Sequence, residues 1–243
     1  MTEPDNDPSP FARRGFIAAA VVVALVIVAA VVVIFTGGDD SAPAPVAGGT
    51  SNTAAPTTSA PADSGECDQP EGDQLPPVAA PVNDWELVGK LVAPTDPDGA
   101  GPGQVTAEGL RTCFSHDPTG ALFAAVNWMG MTSTVEDMQL AVDNLTAPGP
   151  GADAVNGLLE TEPDAVLGVG GYQISGFTFL TYTGDVAMLD LAVTTSDGVQ
   201  GAIPLTLQWS DDDWLMQLPA DGNFGAGTRP LDSLAGYVPW SGS

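Results

Sequence analysis

"GYQISGFTFLTYTGDVAMLDLAVTTSDGVQGAIPLTLQWSDDDWLMQL", residues 171–218, decides the fold. Its hydropathy repeats every two residues. Ala187, Leu189, Leu191 and Val193 alternate with Met188, Asp190, Ala192 and Thr194. Ile203, Leu205, Leu207 and Trp209 alternate with Pro204, Thr206, Gln208 and Ser210. Successive strand side chains point to opposite faces, so one row faces a core and the other faces water, as in an antiparallel sheet. "TGD" (183–185) and "SDG" (196–198) supply turn chemistry between the runs. In the first run Tyr172 and Ile174 share one parity, Phe177 and Phe179 the other, which places a bulge at Ser175-Gly176 that bends the strand. "WLMQL" (214–218) closes a four-stranded meander.

Upstream the period lengthens. In "SHDPTGALFAAVNWMGMTS" (115–133), Asp117 followed by Pro118 is a helix start, a capping acceptor and then proline at the first helical position. Between Ala121 and Met129 only Asn127 is polar, so this helix is expected to be buried on nearly all sides. Ser133-Thr-Val-Glu136 has capping-box spacing, and Val135, Met138, Val142 and Leu145 then share a helical face. Val155, Leu158 and Leu159 predict a short third helix after "APGPG" (147–151). "WELVGKLV" (85–92) and "GLRTCF" (109–114) read as two further strands. Residues 85–243 are therefore expected to form an α+β domain, a cone of three helices against a bent antiparallel four-stranded sheet.

The N-terminal part has a different composition. Phe16 to Phe35 is an unbroken run of Ala, Val, Ile, Leu and Phe. At 1.5 Å per residue it reaches about 30 Å, the thickness of a bilayer's hydrocarbon core. Secretory apolar regions are about 7–15 residues long. The nearest small-x-small site, Ala42-Pro43-Ala44, runs into Pro45, a poor cleavage position. "RRGF" (13–16) is shared with twin-arginine export signals, but those tend to be less apolar than this run; a retained transmembrane helix over 16–36 is expected. Arg13 and Arg14 precede the run and no Lys or Arg recurs until Lys90, so residues 1–15 are expected in the cytoplasm and the rest outside the cell. Residues 37–66 hold no aromatic residue and one large aliphatic, Val46, so they are expected to be a disordered linker; the linker continues over the Pro-rich 67–84, which is expected to drape over the domain.

Outside the cell, two cysteines are expected to pair, here Cys67 with Cys113. They cannot build a zinc site with His116, the one histidine, because four ligands are the norm. A formal net charge of −26 argues against direct nucleic-acid binding, which rests on Lys and Arg neutralising phosphates.

Three stretches, "WELVGKLVAPT" (85–95), "CFSHDPTGALFAAVNWM" (113–129) and "GYVPWSG" (236–242), resemble a group of actinobacterial mobile-element proteins anchored in the membrane. The architecture resembles the bitopic cone-fold subunit of conjugative type IV secretion machines, which has the nuclear-transport-factor-like fold. That resemblance implies a non-catalytic scaffold, assembling with itself and with envelope or channel proteins. Such subunits often carry two cones or lack a disulfide, whereas one cone and one bridge are expected here.

The residues themselves nominate no catalytic group, metal or cofactor. Asp190 is the acid within a strand, but its parity turns it away from the helices. His116 directly precedes the capping Asp117 and orients the cap or sits exposed. "DPDG" (96–99) and "SDDDW" (210–214) read as turns rather than calcium loops, since neither reaches a bidentate Glu at the twelfth position. "GVGG" (168–171) precedes a strand, not the helix a phosphate loop needs. Tyr237 and Trp240 are a candidate docking patch, set against packing onto their own domain.

Overall fold

The computed structural model describes residues 67–168, 171–225 and 227–242. Where one strand is expected over 85–92, the chain forms a hairpin of β1 (Asp84–Val88) and β2 (Leu91–Thr95), paired antiparallel. Gly89 makes the reversal. Its φ is +59°, and a Cβ there would meet Ser133 Oγ at 2.3 Å and the Gly130 carbonyl at 2.4 Å; only glycine satisfies both conditions. Of the strand expected over 109–114, two residues are ordered as one: β4 (Arg111–Thr112) pairs with β3 (Gln104–Val105).

Helix α1 (Pro118–Gly130) begins as its sequence predicts, with Asp117 accepting the Thr119 and Gly120 amides at 2.8 Å each. It is buried from Gly120 to Gly130, Asn127 included, whose amide donates to the Pro94 and Phe123 carbonyls. Helix α2 (Val135–Leu145) starts one residue later than the capping-box reading: Thr134 accepts from the Asp137 amide. Ser133 ends the preceding 3-10 turn, donating to the Gly130 carbonyl and accepting from the Lys90 amide. Val135 is exposed, and Ala141 joins Met138, Val142 and Leu145 on the buried face. Helix α3 (Pro150–Thr161) buries Val155 and Leu159.

The sheet follows. Strands β5 (Tyr172–Tyr182), β6 (Val186–Thr195), β7 (Gln200–Ser210) and β8 (Asp213–Met216) make the expected meander. The first bulge falls between Ile174 and Gly176, and a second lies between Phe179 and Thr181. Asp211 and Asp212, at φ +53° and +65°, form the tight two-residue turn into β8. The sheet has six strands rather than four, because the tail adds β9 (Arg229–Pro230) beside β7 and β10 (Val238–Pro239) beside β5. Each is two residues long and contains proline, which is tolerated at a sheet edge and leaves no alternation to read. The domain is thus α+β, three helices with antiparallel sheets.

Ala187, Leu189, Leu191 and Val193 line the inner face as expected. The outer face is not uniformly wet: Asp190 is 1% exposed, and Ala192 and Ala202 are fully buried. The tail is what covers Asp190. The Arg229 guanidinium bonds to Asp190 Oδ2 and donates to the Tyr237 hydroxyl at 2.9 Å, and that hydroxyl in turn reaches Asp190 Oδ2. Among the described residues no helix is long and apolar enough to cross a membrane; the run at 16–36, the orienting Arg13 and Arg14, and the linker over 37–66 lie outside them.

Cys67 and Cys113 form a disulfide, with Cα atoms 5.1 Å apart and a sequence separation of 46. The segment from Cys67 to Asn83 lies against the domain, as expected of a Pro-rich stretch that drapes over it. Gly72 donates to Asp117, Gln74 donates to the His116 carbonyl, and Asn83 accepts from the Trp240 indole. Replacing both cysteines by serine should lower unfolding free energy by about 4 kcal/mol, the loop-closure term for a loop of this length; denaturant titration of the two proteins measures it. A second expectation concerns the tail. Arg229→Ala leaves Asp190 buried without its cation, so amides of residues 228–240 should exchange faster with deuterium, and Asp190→Asn on that background should restore part of the protection. Unchanged exchange in Arg229→Ala would show that the pair does not hold the tail.

Candidate functional site

A groove of about 590 Å³ opens where the inner face of the sheet extends past the helices. Its floor comes from three strands: Tyr172 of β5, Val193 of β6, and Gly201, Ile203 and Leu205 of β7. One wall is Met129 of α1 with Leu167 from the segment after α3; the other is the loop carrying Asn223 and Phe224. Inner-face parity dictates the floor, since Val193 stands directly across from Gly201. Gly201 hollows it. A Cβ at this position would meet the Arg229 carbonyl at 3.4 Å and Val193 Cγ2 at 3.9 Å, ordinary contact distances, so the backbone leaves room that glycine does not fill.

The polar groups in the groove are sparse. Tyr172 is half-buried, and burial pushes its hydroxyl up to about 12 from 10.0. It is therefore a neutral phenol at any physiological pH, able to donate a hydrogen bond into an apolar space. Gln200, Asn223 and Thr195 add amide and hydroxyl groups at the rim, and Asp164 adds a carboxylate. Volume and lining match those of binding pockets, mostly apolar with a few orienting polar groups.

The residues nominated from sequence lie elsewhere. Trp240, half of the candidate docking patch, is 5% exposed; it packs against Trp85, Phe123 and Phe177 with centroids 4.8, 5.8 and 5.6 Å away. Tyr237 is bound to Asp190 on the outer face. The two side chains sit on opposite faces of the sheet edge because β10 places successive residues on alternate sides, so they do not form a patch. His116 stacks on Trp209 at 4.0 Å, its Nε2 is 3.1 Å from the Gly184 carbonyl, and it takes no part in the groove.

Cys113 is held at φ +65° beside a buried carboxylate. Asp213 accepts the amides of Cys113 (2.7 Å), Phe114 (3.1 Å) and Trp214 (2.9 Å), and burial raises its pKa against those three bonds. Asp213 belongs to the "SDDDW" turn, and Asp96 of "DPDG" likewise caps its own turn through the Ala100 amide. Among the described residues no cluster of three or more His, Cys, Asp or Glu could hold a metal ion.

Sequence reading missed the groove. Gly201 at the head of an apolar strand was its one visible signal, because a strand glycine marks close approach or missing volume.

The tyrosines give a pH test. Tyr182 is also pushed up to about 12, by desolvation and then by Asp117, Asp185 and Glu71; Tyr237 is raised by desolvation and then by Asp190. Tyrosinate absorbance should therefore lag the ordinary value of 10.0. A raised folded pKa gives stability that is complete below the unfolded value and lost as pH rises through the folded one. Alkaline unfolding should accordingly steepen between pH 10 and about 12, and Tyr172→Phe should make that slope shallower.

A family model described as a domain of unknown function, DUF8175, matches residues 47–239. No curated protein and no solved structure matches the chain. With most of its length inside that match, the chain belongs to the DUF8175 family.

Proposed function

We propose that the protein is a membrane-anchored extracellular interaction module, a non-catalytic scaffold in a cell-envelope assembly serving conjugative or mobile-element transfer. The groove carries this reading. Its walls are aliphatic and aromatic, and its sparse polar groups (amides, hydroxyls, a phenol and the Asp164 carboxylate) suit orienting a partner. The apolar run at 16–36 supplies the anchor and the linker lifts the domain off the bilayer, while an α+β domain of three helices with antiparallel sheets supports the likeness to the cone-fold secretion subunits. Partners are envelope or channel proteins and further copies of the chain; the acidic surface disfavours direct nucleic-acid contact.

The groove's size also supports a second reading, a tethered binding protein for a small ligand or wall polymer, since 590 Å³ lies within the range of small-molecule pockets. A thermal-shift screen separates the two, because a pocket ligand raises the melting temperature by mass action. The primary reading is tested in the host. Protease added to intact cells should remove residues beyond 85 and leave the anchor in the membrane, and deleting the gene should reduce element transfer. Protection of the domain, or undiminished transfer, overturns it.

A further inference from the structure

We infer that the groove seats an extended segment of a partner protein with apolar side chains and basic flanks. The inference rests on the interaction-module reading above and adds the chemistry of the occupant. Length is the first argument. Val199, immediately before β7, and Gly201, Ile203 and Leu205 of β7, alternate residues of one stretch of chain, all line the groove. The strand part, Gly201 to Leu205, extends about 13 Å, and with Val199 the stretch reaches about 20 Å, the length of about six extended residues. A site this long with a two-residue repeat suits alternate side chains of a strand-like segment better than one compact molecule.

Charge is the second argument. Asp164 lines the groove directly. Asp197 sits in the β6–β7 turn between Thr195 and Val199, and Asp221 immediately precedes Gly222 and Asn223, all four of them lining residues. Arg229 also lines the groove, but its guanidinium is engaged with Asp190 on the other face of the sheet. Lys90 stands beside a small adjoining hollow that shares Tyr172 and Gly168. Among the described residues one carboxylate thus lines the apolar floor and two more acidic residues adjoin lining residues on separate segments, Asp221 with its carboxylate also accepting the Asn223 amide, against one lysine at one end. An acidic segment would meet repulsion at each of the three, and a basic one attraction. The Tyr172 phenol offers a donor to a backbone carbonyl of the occupant.

The test uses the full chain in nanodiscs of a neutral phosphatidylcholine, with empty discs as control. Three dye-labelled peptides are compared by fluorescence anisotropy: alternating valine and serine with two lysines at each end, the same core with glutamates in place of the lysines, and an all-serine core with the lysines kept. The lysine–valine peptide should bind at least ten-fold more tightly than either of the others, and its affinity should fall as salt rises. Gly201→Val fills the floor at a strand position where valine is favoured, so it should retain the melting temperature and lose at least ten-fold in affinity. Should that variant fail to fold, Val199→Asp, at a site 60% exposed, makes the same test without touching the core. Changing Asp164, Asp197 and Asp221 together to Asn should weaken binding and flatten its salt dependence. Equal binding of the glutamate peptide, no binding by any peptide, or full affinity in both groove variants overturns the proposal; a small molecule found to occupy the groove instead does so too. Peptide binding together with undiminished element transfer would keep this seat and remove the scaffold reading, while lost transfer without peptide binding would do the reverse.

Discussion

One buried carboxylate joins the two halves of the domain. Asp213 opens β8, and its oxygens accept the amides of Cys113 and Phe114 from a segment about a hundred residues earlier in the chain. The Trp214 indole adds a bond to the Ser115 carbonyl across the same seam. These contacts set where α1 begins relative to the sheet, and hence where its buried faces meet β6 and β7. Burial raises the Asp213 pKa even against three amide donors. The folded state therefore holds this proton to higher pH than the unfolded chain does, and the group's contribution to stability falls as pH rises through its folded value. Above that value the carboxylate thus fixes where the two segments meet more than it adds net stability. Three amides with no other partner require an acceptor at this one point.

The disulfide ends at the same seam. Cys67 is the first described residue, and its bridge to Cys113 ties the start of the described chain to the atoms that Asp213 holds. A pull on the chain at Cys67 would pass through the bridge to the segment between β4 and α1, bypassing the Pro-rich segment and the β1–β2 hairpin. That arrangement fits the burial pattern. Leu75, Val78, Val82 and Leu87, all on the bypassed stretch, are among the most exposed large apolar side chains, so apolar packing there contributes little to holding the segment down.

How much was legible in the sequence follows from the range of the signals. The cap at Asp117, the meander, its first bulge and the α3 pattern are local, and each was readable from neighbouring residues. Asp190 shows where locality ends. Its parity correctly turns it from the helices, but its burial depends on Arg229 and Tyr237, in a tail whose strands are too short to show a period. The hairpin over 84–95 was hidden because the apolar run continues across Gly89-Lys90, and only the close approach of Ser133 and Gly130 shows why the chain must turn there. The groove was least legible of all. It is a volume left empty where Gly168, Gly201, and Gly222 with Gly225, from three separate segments, line one space, and empty space leaves no hydropathy pattern.

The use of positive charge shows how so acidic a chain holds its periphery. Beyond the apolar run the basic residues are Lys90, Arg111 and Arg229. Arg111, on β4, pairs with Glu86 of β1, and Arg229, on β9, pairs with Asp190 of β6. Both arginines thus join a two-residue strand to a neighbouring element, at places where the main-chain ladder is too short to hold by itself. Self-repulsion among so many carboxylates works to lift such peripheral pieces away from the body. Arginine suits the task, because its planar fork bonds a carboxylate directionally while its stem packs against apolar surface. With both guanidiniums committed internally, little positive charge remains to attract an anionic partner, so the same economy that secures the edges also biases the surface towards cationic ones.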